Sequence, residues 1–128
     1  MFRLAVIALG GGIGTIARYI VSGIDYKMSN GVFPLSTLVI NVSGSLIIGL
    51  LWGLVDRFAV SPNLRLFIFI GILGGYTTFS TFSLETFNLM RDGEYHIALM
   101  NIILSTVLSI VAVFVGYFVS RLLLNMFR

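Results

Sequence analysis

The chain contains no cysteine. That excludes a disulfide framework, thiolate catalysis and any cysteine-ligated metal, and it leaves the redox compartment unreadable. Charge is scarce as well: 10% of the residues are Asp, Glu, Lys or Arg, against about 25% in an ordinary soluble domain. The eight Lys and Arg are scattered singly, so there is no basic patch of the kind nucleic-acid binding requires. No His, Lys or carboxylate stands at the centre of an apolar run; Glu85 falls well past the middle of the third run and His96 in a connection. A proton-coupled exporter of the small four-helix multidrug type wants a buried Glu in its first span, and "VIALGGGIGTIA" has none. An intramembrane enzyme wants a nucleophile with a base beside it, whereas the serines here have no titratable neighbour. Strand-length alternation is missing too. Both prolines, Pro34 and Pro62, fall in connections.

What is present is apolar surface. Of 128 residues, 58% are apolar, and the mean hydropathy is +1.05. A chain this small is a single domain that cannot hide so much apolar surface from water, so its outside faces lipid. Four apolar segments, about 4–24, 35–55, 64–90 and 97–124, each approach the ~20 residues that cross a hydrocarbon core. The links "DYKMSNGVFP", "DRFAVSPN" and "RDGEYH" carry the turn formers Asn30, Gly31, Pro34, Pro62 and Gly93. The expected fold is an all-α membrane protein of four transmembrane helices forming one domain over 1–128, since helices satisfy their own backbone in lipid. The N-terminal run lacks a small-residue cleavage site before Arg18 and reads as the first span, not a removable signal.

Four spans put both termini on one side with Arg3, Arg57, Arg65, Arg121 and Arg128; Lys27, Arg91 and Arg18 lie toward the other. Five against three is a weak bias, compatible with either orientation or a mixture. Gly10 with Gly14, Gly49 with Gly53, and Gly71 with Gly75 are small-xxx-small pairs that let helices approach closely, and Ser105 with Ser109 is a weaker one. For any single pair, the general frequency of glycine in membrane helices is an equal explanation. Gly12, Gly14 and Ala17 also match the G-x-G-x-x-A spacing of dinucleotide sites, but no second strand ending in an acid follows. Thinning of a membrane helix is the better account.

Polar groups inside spans are costly and therefore informative. Arg18 lies about fifteen residues, or roughly 22 Å of helix, from Arg3, toward the far end of the first span. Snorkelling to the headgroups and drawing anions into a mouth remain equal readings. Asn41 is too deep and too short to reach the interface, so it bonds something buried, either along a path or between helices. Neutral donors complete the inventory: Thr37, Ser80, Thr81, Ser83, Asn101, Ser105 and Ser109. In "GILGGYTTFSTFSLE", Gly74 and Gly75 permit backbone that side chains resist, and the β-branched and hydroxyl residues after them can rebond freed carbonyls. This predicts a break in the third helix. Irregular backbone at membrane depth needs buried protein or a lined cavity around it, and unwound carbonyls commonly hold ions. Phe79 and Phe82 share one face of the helix that resumes. Their ring edges could meet a small anion, although packing is the commoner use of such a pair.

"GGYTTFSTFSLE" closely resembles the signature of the Fluc (CrcB) family of fluoride channels, and "GGGIGTIARY" and "LVINVSGSLIIG" resemble that family's first- and second-span motifs in the same order. The likeness covers all four spans. It implies a dual-topology homodimer in a bacterial plasma membrane, two copies inserted antiparallel, with two fluoride pathways and a central structural sodium ion. It implies that the Gly74 and Thr77 carbonyls hold sodium. It likewise implies that Asn41, Phe79 and Phe82 line the pore, that Arg18 is the first-span arginine, and that Thr37, Ser80, Thr81, Glu85, Ser105 and Ser109 form a polar lining. Asn101 stands where members differ. The function implied is passive fluoride efflux that protects the cell from fluoride. A small multidrug-type exporter and a non-transporting scaffold, whose polar residues only join helices, are the alternatives.

Overall fold

The computed structural model describes residues 1–23 and 32–126. Ile24, Lys27, Asn30, Gly31 and Arg128, which enter the span, charge and turn readings above, lie outside the described residues. Four helical segments are long and apolar enough to cross a membrane, Phe2–Ser22, Leu35–Val55, Pro62–Arg91 and Tyr95–Met126, and no strand occurs among the described residues. The first two are continuous helices, α1 and α2. The third is divided. Its first part, α3 (62–76), starts with an α-helical turn at Pro62–Arg65, widens into π-helical turns over Leu66–Leu73 and closes with Gly74–Tyr76. Its second part is α4 (Phe79–Arg91), and the last span is α5 (Tyr95–Met126).

Local chemistry accounts for the boundaries. Ser61 caps α3 by accepting from the Leu64 N–H at 3.3 Å, with Pro62 at the first helical position, where a missing N–H does no harm. The α4 to α5 turn closes through bonds from the Glu94 N–H to Leu89 O at 2.8 Å and from the Gly93 N–H to Met90 O at 3.2 Å. This C-terminal motif needs a left-handed residue, and Gly93 supplies it with φ 84°.

The glycines decide the packing. α1 lies along α3, and α2 lies along α5. A β-carbon at Gly10 would come within 2.5 Å of the Phe67 carbonyl, and one at Gly75 within 2.6 Å of the Gly11 carbonyl. Gly14 abuts the Ile72 carbonyl and Gly71 abuts Gly10, so two of the expected pairs face each other across one seam. Gly49 and Gly53 sit on Val113 and Ser120 of α5, while Gly116 of α5 sits on the Leu46 carbonyl of α2. Gly116 and Ser120 of α5 make this seam, and Ser105 and Ser109, read from sequence as a weaker contact pair, line a cavity. Gly12 and Gly14 lie within α1, so no strand precedes them and the dinucleotide reading fails.

The third span is broken as expected, but not by the glycines. Gly74 has ordinary helical angles, φ −65° and ψ −34°. The extended residues are Thr77, with φ −76° and ψ 155°, and Thr78, with φ −150° and ψ 123°. Both conformations suit β-branched residues, so the break needs no glycine freedom. Gly75 serves close approach to α1 instead, and Gly44 of α2 leaves room for the Thr77 methyl.

Candidate functional site

The break is held from α2. The Asn41 amide donates to the Thr78 carbonyl at 3.0 Å and accepts from the Thr78 N–H at 2.9 Å, so one side chain satisfies both backbone groups of the extended residue. Thr78 in turn caps α4: its Oγ1 accepts from the Thr81 N–H at 3.2 Å and lies 3.1 Å from Thr81 Oγ1 and 3.3 Å from Ser80 Oγ. Carbonyls at the break, those of Gly74 and Thr77 among them, lose their usual partners as a result. In an unbroken helix the N–H four residues on would bond each one. The Thr78 N–H goes to Asn41 rather than to the Gly74 carbonyl, and the Thr81 N–H goes to the Thr78 hydroxyl rather than to the Thr77 carbonyl.

A cavity of about 450 Å³ opens beside this break. It brings together Asn41, Gly74, Thr77, Phe79, Phe82, Ser105 and Ser109, all singled out from the sequence, with Gly44, Ser45, Phe69, Leu73, Thr78 and Thr106 also on its walls. None of the described residues lining it carries a charge. The two phenylalanine rings lie 5.3 Å apart at 48°. They differ in surroundings, Phe82 being 8% exposed and Phe79 77% exposed. The Ser109 Oγ is buried without a hydrogen-bond partner in the fold.

The other expected residues lie outside these walls. Thr37 donates to Glu85 Oε1 at 2.8 Å, joining α2 to α4 on the far side of the break. Ser80 and Thr81 belong to the Thr78 cap. Arg18 is half-buried on α1 and does not line the cavity. Asn101 is completely buried and donates to Thr86 Oγ1 at 3.0 Å, while Ser105 donates to Asn101 Oδ1 at 3.1 Å. Ser83 donates to the Phe79 carbonyl within α4.

Sequence reasoning missed Thr78, Ser45 and Thr106. Ser45 had a signal, since it stands four residues after Asn41 and so shares its helix face. Thr78 had none: in "YTTFST" every hydroxyl has the same local chemistry, and only the backbone angles distinguish the residue that caps α4. Among the described residues no group of three or more His, Asp or Glu could hold a metal ion. The Gly74 and Thr77 carbonyls at the break are neutral oxygens without their usual helical donors.

Comparison with known proteins gives a consistent result. Residues 5–117 match the family described as CrcB-like protein, Camphor Resistance (CrcB). A fluoride-specific ion channel of Methylobacterium radiotolerans is 48% identical over 118 residues, covering 90% of this chain and 82% of its own. One of Parabacteroides distasonis is 38% identical over the full length of both chains. One of Pyrococcus abyssi is 44% identical over 117 residues, covering 91% of this chain and 94% of its own.

Proposed function

The chain belongs to the CrcB-like family, and from that premise we propose that it is a passive, fluoride-selective ion channel of the cell membrane, carrying fluoride out of the cell and protecting it from fluoride toxicity. It is a multi-pass membrane protein and a channel, not an enzyme. The observation that carries the reading is the uncharged cavity at the helix break, walled by hydroxyls, an amide and two aromatic rings. Fluoride is small and strongly hydrated. A path for it must replace water with several hydrogen-bond donors and still release the ion. Fixed positive charge at the centre would attract any anion and hold it, whereas neutral donors and the positive edges of Phe79 and Phe82 discriminate by hydrogen-bond strength and size.

The working unit is an antiparallel homodimer of two oppositely inserted copies, which the weak arginine bias supports. Phe79 and Gly74, both exposed beside the cavity, would then be covered by the second copy. A sodium ion at the dimer centre would be held by the Gly74 and Thr77 carbonyls of both chains. Their diverted helical donors and the lack of a carboxylate cluster among the described residues suit a monovalent cation better than calcium. Such an ion supplies a fixed positive charge between the two anion paths.

Purified protein in liposomes should pass fluoride down its gradient with no proton gradient present, and chloride far more slowly. Flux that requires an exchanging gradient would point to an exporter, comparable fluoride and chloride rates would overturn the channel reading, and no flux would leave a scaffold.

A further inference from the structure

Three hydroxyl and amide groups between α4 and α5 have only one consistent assignment of hydrogens once their partners are counted. Thr86 Oγ1 donates to the Phe82 carbonyl at 2.8 Å. A hydroxyl has a single hydrogen, so Thr86 can only accept from Asn101, which must therefore present its NH₂ group to Thr86 at 3.0 Å. That orientation turns Asn101 Oδ1 toward Ser105, and the Ser105 hydroxyl donates to it at 3.1 Å. All three residues are buried: Asn101 is 0%, Ser105 5% and Thr86 8% exposed.

The consequence falls on the cavity. Ser105 lines it, but its hydrogen points away toward Asn101, and what it offers the cavity is a lone pair. Ser109, one turn further along α5, has no protein partner for its buried oxygen and keeps its hydrogen. The two serines therefore differ in how their hydrogens are committed although identical in type. The reverse orientation of the Asn101 amide would return the Ser105 hydrogen to the cavity. Thr86, through its bond to the Phe82 carbonyl, disfavours that orientation.

We propose that Asn101 is a positioning residue that decides whether Ser105 presents a hydrogen or a lone pair to the anion cavity. The inference rests on the fluoride reading for its functional consequence, but its structural content does not depend on it.

Two measurements test it. Solid-state NMR on the protein in lipid, with ¹⁵N in the asparagine side chains and no fluoride added, should find the Asn101 amide nitrogen closest to Thr86; closest approach to Ser105 would overturn the assignment whether or not any ion flows. In liposomes, the loss of fluoride flux caused by Ser105→Ala should be about tenfold larger in an Asn101→Ala background, where the hydroxyl is released toward the path, than in the otherwise native protein, the size expected for one hydrogen bond to a charged group. The same coupling should appear in Thr86→Val, which keeps Asn101 and removes the group that pins its amide, so a folding defect in Asn101→Ala leaves the test standing. Equal effects of Ser105→Ala in all backgrounds would overturn the proposal. Wild-type protein that passes no fluoride while the NMR contact to Thr86 is found would instead overturn the channel reading alone.

Discussion

At the scale of single residues, Asn41 matters through what it leaves unsatisfied when removed. Asn41→Ala would strand both the N–H and the carbonyl of Thr78. An unsatisfied buried group costs about 1–3 kcal/mol, although polar links in membranes are often weaker than this. We expect a loss of about 2 kcal/mol in detergent unfolding, together with loss of fluoride flux. Retention of both would mean that the break is held by something other than the amide. The two phenylalanines should separate in the same assays. Phe82 is buried and Phe79 exposed, so Phe82→Ile should cost both stability and flux, while Phe79→Ile should leave monomer stability within about 0.5 kcal/mol, as at other exposed sites, and still lower flux. Asn41 and the phenylalanines were legible in the sequence because an amide deep in a span and a repeated aromatic pair stand out. Thr78 was not, because its role comes from its backbone angles and not from its side-chain type.

At the scale of elements, the third span shows where sequence reading stops. The presence of a break was legible from "GGYTTFST", but its location was displaced by one turn. Glycine is compatible with two different jobs, unusual backbone and close approach, and local sequence does not choose between them. Contacts choose. Gly75 meets α1 backbone, whereas a β-carbon at Gly74 would find only the Phe69 carbonyl, at an ordinary 3.7 Å. Gly75→Ala should therefore force α1 and α3 apart at a cost of about 1–3 kcal/mol, as overpacking does. Gly74→Ala should leave the fold stable and act only on the cavity. Thermal unfolding in detergent compares the two directly, and a larger loss at Gly74 would show that backbone freedom, not space, is what the glycine pair supplies. The π-helical turns at Leu66–Leu73 had no signal at all, since the apolar run "LFIFIGIL" suits any helical register.

At the scale of the whole molecule, the surface argues for a second copy. The chain exposes 8465 Å², whereas a compact folded monomer of 14.1 kDa exposes about 6,700 Å². Lipid can cover the outer faces of the helices, but not equally well the strip around the break, where Gly74, Phe79, Ser80 and Thr81 are exposed together. Hydroxyls in hydrocarbon are costly, and a second chain across this strip would remove them from lipid. The scarcity of charge in the chain then bears on how the copies insert, because five against three basic residues gives the insertion machinery little to read. The lack of cysteine makes this directly testable. Arg57→Cys lies in the exposed connection after α2 and introduces the only thiol in the chain. In sealed inside-out membrane vesicles, an impermeant maleimide should label about half of the thiols, and the rest should react only after the membrane is opened, as a dual-topology population requires. Sedimentation in detergent should give twice the chain mass. Labelling that is complete or absent in sealed vesicles would mean a single orientation, and an antiparallel pair could not then form.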